Sequence, residues 1–360
     1  MNQRYNHLID TEDYSVHQWN SMIRLAQDIM RRPETYSEKC KGKIMATLFY
    51  EPSTRTQMSF QSAMIRLGGS IIGFDNPGNS SVAKGENLKD TIEIVSTYAD
   101  ILVMRHNQEG SAKAAALNAD CPVINAGDGG HLHPTQTLTD LLTLQTELGR
   151  LDGLTIGLCG DLKYGRTVHS LAKALSCYPN NKFILISTPA LALPSYIKDV
   201  LVARGCEFRE VDTIDEAIPD VDMLYMTRIQ RERFESAEEY EKQKDVYRLT
   251  REKMALAKSD MIVMHPLPRV NEIDVEVDDD PRAAYFKQAN YGMYVRMALI
   301  LTTLNNELRP NPLLSGSIHK DICCGNPKCV TQTEKYLPAS FRKYGDILIC
   351  EYCDERQLMR

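Results

Sequence analysis

Strand-like and helix-like segments alternate along most of this chain, and this alternation constrains the fold more than any other feature of the sequence. A first series runs from the apolar segment Lys43–Tyr50 to the helical segment Gln136–Leu148. A second series runs from Leu154–Gly160 to the strand-like segment Met261–His265. Strands that alternate with helices in this way predict parallel sheets with helices on both faces. We therefore predict an α/β fold with two doubly wound parallel-sheet domains and a small C-terminal zinc-binding module.

The same patterns predict where the domains begin and end. The first domain takes residues 1–134 together with a long helix at 285–308, which we expect to return to it, and the second takes residues 135–284. Within the second domain the spacing of apolar residues predicts one helix over Glu238–Ala257. Pro310, Pro312 and Gly316 indicate a linker over residues 309–317, and residues 318–360 form the C-terminal module.

Ser53-Thr54-Arg55-Thr56 stands where a predicted strand ends and a helix begins. Free backbone N–H groups and the helix dipole favour an anion at such a position. The hydroxyl groups and the guanidinium add donors that match phosphate oxygens. The alternative is an ordinary helix N-cap, in which Ser53 or Thr54 caps the helix and Arg55 lies in solvent. From this segment alone, both interpretations stay open.

Polar side chains also follow several other predicted strands, at the position where each strand ends. They are Arg105, His133, Arg166, Arg228 with Gln230, and the segment His265-Pro266-Leu267-Pro268-Arg269. One charged residue after a strand is ordinarily a solvated loop residue. Because ligands of open α/β sheets bind at the carboxyl ends of the strands, the repetition predicts a polar binding site along this edge.

Taken together, these segments resemble the motifs of aspartate carbamoyltransferase catalytic chains. The matching segments are Ser53–Thr56, His133–Gln136, Asp161–Arg166 and His265–Arg269, and the resemblance extends from about Tyr5 to Leu308. It implies transfer of a carbamoyl group from carbamoyl phosphate to the amine of L-aspartate, an early step of de novo pyrimidine biosynthesis. It implies no catalytic cofactor.

The resemblance also implies a role for each matching residue. Ser53, Thr54, Arg55 and Thr56 bind the phosphate, and the carbonyl oxygen contacts Thr56, Arg105 and His133. Gln136 lies near the carbamoyl amide, and the aspartate carboxylates bind Arg166, Arg228 and Gln230. The backbone carbonyls of Pro266 and Leu267 contact the carbamoyl NH₂ and the incoming amine.

Negative charge develops on the carbonyl oxygen as the amine attacks, so donors aimed at that oxygen are the expected catalysts. Loss of one such donor costs on the order of 3 kcal/mol. We expect positioning and charge neutralisation to supply most of the acceleration. The residues expected to carry the catalysis are Arg55, Thr56, Lys84, Arg105 and His133.

The stretch Ser80–Glu86 resembles the mobile loop that, in this family, enters the active site of the neighbouring subunit. Lys84 matches the loop lysine, whereas the active serine is either Ser80 or Ser81, and we favour Ser81. The resemblance therefore implies a homo-oligomer, a trimer or a multiple of it, with shared active sites. The alternative is a flexible, solvated connection.

Other functions fit part of the pattern. Ornithine carbamoyltransferases share the phosphate motif but carry His-Cys-Leu-Pro, whereas Pro266 follows His265 here. Arg269, with Arg228 and Gln230, suits a dicarboxylate, because a second carboxylate needs a cationic fork. A catalytically inactive relative is a further alternative, and the intact set of catalytic residues argues against it. The last alternative function is that of a zinc ribbon that binds nucleic acid.

Five of the ten cysteines crowd the last forty residues. Four residues intervene between Cys324 and Cys329, twenty between Cys329 and Cys350, and two between Cys350 and Cys353. This spacing predicts a closed tetrahedral site for structural zinc. Because the segment is too short to form a large core, we expect its folding to depend on the metal. The module resembles the zinc domain of the family's regulatory chain, without the nucleotide-binding domain. We expect it to pack on the catalytic body.

Composition excludes other classes of protein. The net charge of −6 gives no support for a nucleic-acid partner. No apolar run approaches the roughly 18 residues that would span a bilayer, and the polar segment Met1–Asp13 lacks the apolar core of a signal peptide. We expect a cytoplasmic protein without a membrane partner.

Overall fold

The computed structural model describes residues 5–229, 236–243, 246–305, 313–319 and 321–359. Gln230 and residues 309–312 of the predicted linker lie outside these ranges. The chain divides into two units, Met1–Thr135 with Met293–Arg360 and Gln136–Gly292. Among the helices in the described ranges, none has the length and apolar character needed to cross a bilayer.

The first unit is built on a four-stranded parallel sheet with the order β2-β1-β3-β4. Its strands are β1 (Ile44–Phe49), β2 (Ser70–Phe74), β3 (Ile101–His106) and β4 (Val123–Asp128). The chain adds β2 on one side of β1 and β3 on the other, which is the doubly wound arrangement. Helix α1 (Val16–Arg31) precedes β1, and the helices between the strands are α2 (Thr54–Arg66), α3 (Leu88–Ser96) and α4 (Ser111–Asn118).

Both faces of this sheet are covered. Ala46 and Leu48 of β1 belong to a core that includes residues of α3 and α4. Met45 and Phe49, which point to the opposite face, are equally buried. Continuous apolar strands of this kind are expected where helices cover a parallel sheet on both sides.

The second unit is built on a five-stranded parallel sheet with the order β7-β6-β5-β8-β9. Its strands are β5 (Thr155–Cys159), β6 (Lys182–Ile186), β7 (Glu207–Val211), β8 (Met223–Met226) and β9 (Ile262–Met264). The helices are α5 (Pro134–Glu147), α6 (Arg166–Leu175), α7 (Ser195–Ala203), α8 (Ile214–Ala217), α9 (Ala237–Gln243) and α10 (Arg251–Met254). Helix α11 (Tyr285–Leu304) crosses the boundary, with residues 285–292 in the second unit and residues 293–304 in the first. The two predicted parallel-sheet domains are confirmed.

The single helix predicted over Glu238–Ala257 is wrong. Helix α9 ends at Gln243, and α10 begins only at Arg251. Leu249 instead pairs with Ile273 in an isolated parallel bridge, and the Thr250 side chain caps α10 by accepting a hydrogen bond from Lys253 N. A tertiary backbone pairing and a new N-cap thus override the helical spacing of the apolar residues.

The C-terminal residues of the first unit form an antiparallel sheet in the order β10-β11-β12-β13. Its strands are β10 (Ser317–Ile318), β11 (Ser340–Tyr344), β12 (Ile347–Cys350) and β13 (Arg356–Leu358). Val330, Phe341 and Tyr352 share one core with the alanines of α4. The C-terminal module therefore packs on the first unit, as predicted, and does not form a separate body.

Candidate active site

The segment predicted to bind an anion lies between β1 and α2. Ser53 is the N-cap residue of α2, but its side chain does not cap the helix; its hydroxyl lies 3.1 Å from that of Thr56. Thr54 and Arg55 are exposed, whereas Thr56 is buried. The backbone N–H groups in the first turn of α2 therefore receive no hydrogen-bond acceptor from the Ser53 side chain. This arrangement favours binding of an external anion over an ordinary N-cap.

Arg105 and His133 meet at the ends of β3 and β4. Arg105 Nη1 lies 3.5 Å from His133 Nε2 and donates to Ala126 O at 3.3 Å. Both side chains are buried. Because a guanidinium only donates, this contact is a hydrogen bond only in the tautomer whose Nε2 carries no proton. Phe49 of β1 pairs with Arg105, which brings the anion segment to the same edge of the sheet.

Two residues around Arg105 were missed by the sequence reasoning. Glu51 Oε2 lies 3.2 Å from Arg105 Nη2. Burial lowers the pKa of Arg105, and the ion pair with Glu51 opposes that shift. Gly127 has φ +127°, and a Cβ at this position would lie 2.8 Å from Arg105 Nη1. The only signals for them are that Glu51 precedes the anion motif and that Gly127 stands in a glycine-rich turn.

In the second unit, the buried carboxylate of Asp140 gathers three polar side chains, a group that we call the Asp140 network. Its Oδ1 accepts from Gln136 Nε2 at 2.8 Å and from Gln288 Nε2 at 2.6 Å. Its Oδ2 accepts from the Tyr225 hydroxyl at 2.9 Å. Gln136 is thus held by a residue one helical turn further along α5.

The loop that contains Pro266 and Leu267 is tied to the Asp140 network. Gln288 Oε1 accepts from His265 N at 2.9 Å, and His265 Nδ1 accepts from Leu267 N at 2.8 Å. His265 Nε2 donates to Glu272 at 2.7 Å. Burial alone would raise the pKa of Glu272, but the bond from His265 and a backbone N–H lower it. The loop and Gln136 therefore belong to one hydrogen-bonded system.

The exits of β5 and β8 are joined by Thr227. Its hydroxyl accepts from Asp161 N at 3.0 Å and donates to Cys159 O at 2.9 Å. Arg166 is the first residue of α6, and Arg228 directly follows Thr227; both side chains are half-buried. Because β5 and β8 are neighbours in the sheet, the two arginines leave adjacent strands at the same edge. Gln230 lies outside the described residues.

Two family models match almost the whole of this framework. The carbamoyl-phosphate-binding domain of aspartate/ornithine carbamoyltransferases matches residues 6–146, and the aspartate/ornithine-binding domain matches residues 152–303. The chain belongs to the aspartate/ornithine carbamoyltransferase family. Both models end before the C-terminal module.

Named relatives in the family point to its aspartate branch. The chain is 60% identical to an aspartate carbamoyltransferase catalytic subunit from Clostridium perfringens (strain SM101) over 299 residues, 83% of this chain and 97% of the relative. The catalytic subunit of M. jannaschii aspartate transcarbamoylase has 48% identity and a TM-score of 0.79, and covers 84% of this chain and 99% of its own. Aspartate transcarbamoylase from Trypanosoma cruzi, solved with carbamoyl phosphate and aspartate, has 40% identity and a TM-score of 0.77, with coverages of 84% and 97%.

The loop that resembles the family's mobile loop is exposed. Ser81 and Lys84 line an open cavity of about 750 Å³ together with Phe74 and Tyr98. Ser80 accepts a hydrogen bond from Val82 N and donates to Pro77 O, so its hydroxyl is engaged locally.

Arg269, which the sequence predicts to suit a second carboxylate, contacts a carboxylate of the chain itself in this structure. Its guanidinium forms a double hydrogen bond with the carboxylate of Asp278, and it also donates to the Tyr285 hydroxyl at 3.2 Å. The bond from Arg269 lowers the pKa of Asp278, so that carboxylate stays charged. Arg269 is therefore committed to a structural ion pair.

The four predicted cysteine ligands converge in the C-terminal module. The sulfur atoms of Cys324, Cys329, Cys350 and Cys353 all lie within 4.8 Å of one another, and all four residues are buried. Four thiolates around zinc at about 2.3 Å are separated by about 3.8 Å, and two of the sulfur–sulfur distances here are 3.5 and 3.9 Å. The cluster fits a tetrahedral metal ion, whereas Cys323 is exposed and stays outside it.

Proposed function

We propose that this chain transfers the carbamoyl group of carbamoyl phosphate to the amine of L-aspartate, giving N-carbamoyl-L-aspartate and phosphate in an early step of de novo pyrimidine biosynthesis. The observation that carries this proposal is the buried contact between Arg105 and His133 at the sheet edge that also bears Ser53–Thr56. Membership of the family and identity with its aspartate-specific members support it.

The residues of the first unit bind and polarise carbamoyl phosphate. Ser53, Thr54, Arg55 and Thr56 hold the phosphate, whose charge suits a helix N-terminus and a guanidinium. Thr56, Arg105 and His133 donate to the carbonyl oxygen as it becomes negative. Because Glu51 and Ala126 O already hold Arg105, this donor does not have to reorganise during the reaction.

The residues of the second unit bind and orient aspartate. Arg166, Arg228 and Gln230 hold the two carboxylates, and Gln136 contacts the carbamoyl amide. The carbonyl groups of Pro266 and Leu267 accept from the carbamoyl NH₂ and from the attacking amine. Holding the two reactants in line converts a bimolecular encounter into a unimolecular step, which supplies a large part of the acceleration.

We further propose a homotrimer, or a multiple of it, whose sites are completed by Lys84 and Ser81 of a neighbouring protomer. The exposure of both residues supports this assignment. Because the Ser80 hydroxyl is engaged by Val82 N and Pro77 O, Ser81 is the better candidate for the active serine.

We propose that the cysteine cluster binds structural zinc, which supplies folding energy to the module and no step of the reaction. The sulfur spacing supports this, as do a donor contact from Thr331 to the Cys329 sulfur at 3.2 Å and one from Asn326 N to Cys324 at 3.5 Å. We place the protein in the cytoplasm, since all ten of its cysteines are free thiols in the structure.

The experiment that tests the function is substrate saturation of wild type and Arg228→Ala with aspartate and with ornithine. Wild type is expected to carbamoylate aspartate only. Loss of a charged contact to a carboxylate costs about 1.5–3 kcal/mol, so the KM for aspartate should rise about 10- to 100-fold while the KM for carbamoyl phosphate stays within about twofold.

The matched control is Arg209→Ala, which removes an arginine of the same unit whose guanidinium pairs with the exposed Asp220 at 2.6 Å. Its KM for aspartate should equal that of wild type. Normal aspartate saturation in Arg228→Ala, or faster carbamoylation of ornithine by wild type, contradicts the proposal.

A further inference from the structure

The C-terminal module contacts the first unit at the two loops that follow Arg105 and precede His133. Glu109 N donates to Lys328 O at 3.0 Å, and Val330 N donates back to Glu109 O at 2.9 Å. Asn326 Nδ2 donates to the Glu109 carboxylate at 2.6 Å. The stretch of chain that directly follows β3, four residues beyond Arg105, is therefore paired by backbone and side chain with the metal-binding module.

The second point of contact is the turn between Cys350 and Cys353. Gly110 has φ +83°, and a Cβ there would lie 2.6 Å from both Cβ and O of Tyr352. Lys113 donates to Glu351 O. Only a residue without a side chain allows α4 to approach the cysteine turn this closely.

His131 connects this cysteine turn to the loop that ends at His133. Its Nε2 lies 2.9 Å from Asp354 Oδ2, and its Nδ1 lies 3.1 Å from Asp128 Oδ2. Each neighbour is a carboxylate, so each ring nitrogen serves as a donor. The His131 side chain is only 12% exposed. Asp354 directly follows Cys353, and we call these three residues the Asp354–His131–Asp128 bridge.

Asp128 transmits this contact to the backbone that carries the site residues. Its Oδ1 accepts from Leu132 N at 3.0 Å, and its Oδ2 also accepts from Gly110 N at 2.8 Å. The turn that it closes begins beside Ala126, whose carbonyl holds Arg105, and ends at the residue before His133. A shift of the turn would therefore displace Arg105 and His133, the two residues that we propose to donate hydrogen bonds to the carbonyl oxygen.

We propose that His131 is a positioning residue for Arg105 and His133, and that the C-terminal module sets the geometry of these two donors through the Asp354–His131–Asp128 bridge. This inference rests on the proposed function of Arg105 and His133 and deepens it. Neither His131 nor Asp354 touches the substrate; they act on the rate of the step in which charge develops on the carbonyl oxygen, and not on the binding of aspartate.

The test compares Asp354→Ala, His131→Gln and the double variant in the full chain. We measure kcat, the KM of each substrate, the mass in solution and the zinc content per chain. Since misplacement by about 1 Å can cost on the order of a hundredfold, the smaller shift expected here should lower kcat about tenfold in either single variant. The KM for aspartate should stay within about twofold, and the double variant should be no slower than the slower single variant, because both changes break one bridge.

Two further variants separate positioning from simple loss of structure. Asp354→Glu keeps an acceptor for His131 and should recover most of kcat. Arg342→Ala removes the other partner of Asp354, an exposed contact of 2.8 Å, and should leave kcat unchanged. Because His131 lies outside the cysteine cluster, His131→Gln tests the positioning role even if Asp354→Ala loses its zinc.

Wild-type kcat in His131→Gln with zinc retained overturns the proposal, as does a multiplicative fall of kcat in the double variant. A tenfold rise of the KM for aspartate in the single variants, with kcat unchanged, also overturns the proposal. Absence of aspartate carbamoylation in wild type would instead refute the proposed function, so the two failures are distinguishable.

Discussion

The two units hold their candidate site residues by different means. In the first unit, the loops around Arg105 and His133 contact the C-terminal module, which lies more than 200 positions later in the chain, as in the pair His131–Asp354, separated by 223 positions. In the second unit, Gln136 and the loop at Leu267 are held by the Asp140 network, whose members all belong to that unit.

This difference concerns where the rigidity of each half originates. The Asp140 carboxylate is fully buried and accepts three hydrogen bonds, and a buried polar network with its donors satisfied fixes a unique geometry by itself. The turn at Asp128 in the first unit is linked through His131 to Asp354 of the C-terminal module, and the proposed zinc would supply the folding energy of that module. The first half should therefore respond to metal removal, and the second should not.

Loss of the metal is the largest effect that this comparison predicts. Cys350→Ser removes one of four sulfur ligands, so zinc should fall from about one per chain to near zero, and the module should lose binding free energy on the order of 10 kcal/mol. Zinc content and limited proteolysis of the full chain measure both. Cleavage is expected after about residue 313 and in the loops at Glu109 and His131, while the segments of the second unit stay protected.

Cys323→Ser is the control for this variant, because that thiol is exposed and lies beside the cluster without joining it. It should retain zinc and wild-type resistance to the protease. If Cys350→Ser also makes the segments around Asp140 sensitive to the protease, the second unit responds to metal loss as the first one does.

The sequence indicates the strand exits of both units, but not the groups that fix them. Arg105 and Arg228 are recognisable because polar residues after apolar strands are expected at the ligand-binding edge of a parallel sheet. Asp140 stands inside a helix, and only its contacts with Tyr225 and Gln288 reveal its role. His131 lies two residues before a recognised motif, yet no local pattern predicts that Asp354 is its partner. Long-range pairing is the information that alternation and spacing do not contain.

A change inside the Asp140 network should produce an intermediate effect confined to the second unit. Asp140→Ala leaves the donors of Gln136, Gln288 and Tyr225 without their common acceptor, which should lower the free energy of unfolding by about 3 kcal/mol. Thermal and urea unfolding of the zinc-loaded chain measure this loss, and zinc content should stay at the wild-type value. Asp220→Ala, which removes only an exposed ion pair with Arg209, should change stability by less than about 1 kcal/mol. Loss of zinc in Asp140→Ala would show that the second unit also depends on the module.

The smallest expected effect is the response of the first unit to acid. Burial lowers the pKa of His7 to about 4, and its Nδ1 accepts a hydrogen bond from Val123 N at 3.1 Å, which requires the neutral ring. Because the unfolded chain titrates near pH 6.5 and the folded one near 4, the unfolded state binds more protons between these values. The contribution of His7 to stability is therefore fully present above pH 6.5 and is lost as the pH falls towards 4, by about 2 kcal/mol at pH 5.

His7→Gln keeps a hydrogen-bond acceptor but does not titrate, so its urea midpoint should fall less than that of wild type between pH 7 and pH 5. Any release of zinc by acid affects both proteins equally and cancels in this difference. Equal shifts of the two midpoints would mean that His7 does not contribute to the acid sensitivity of the first unit.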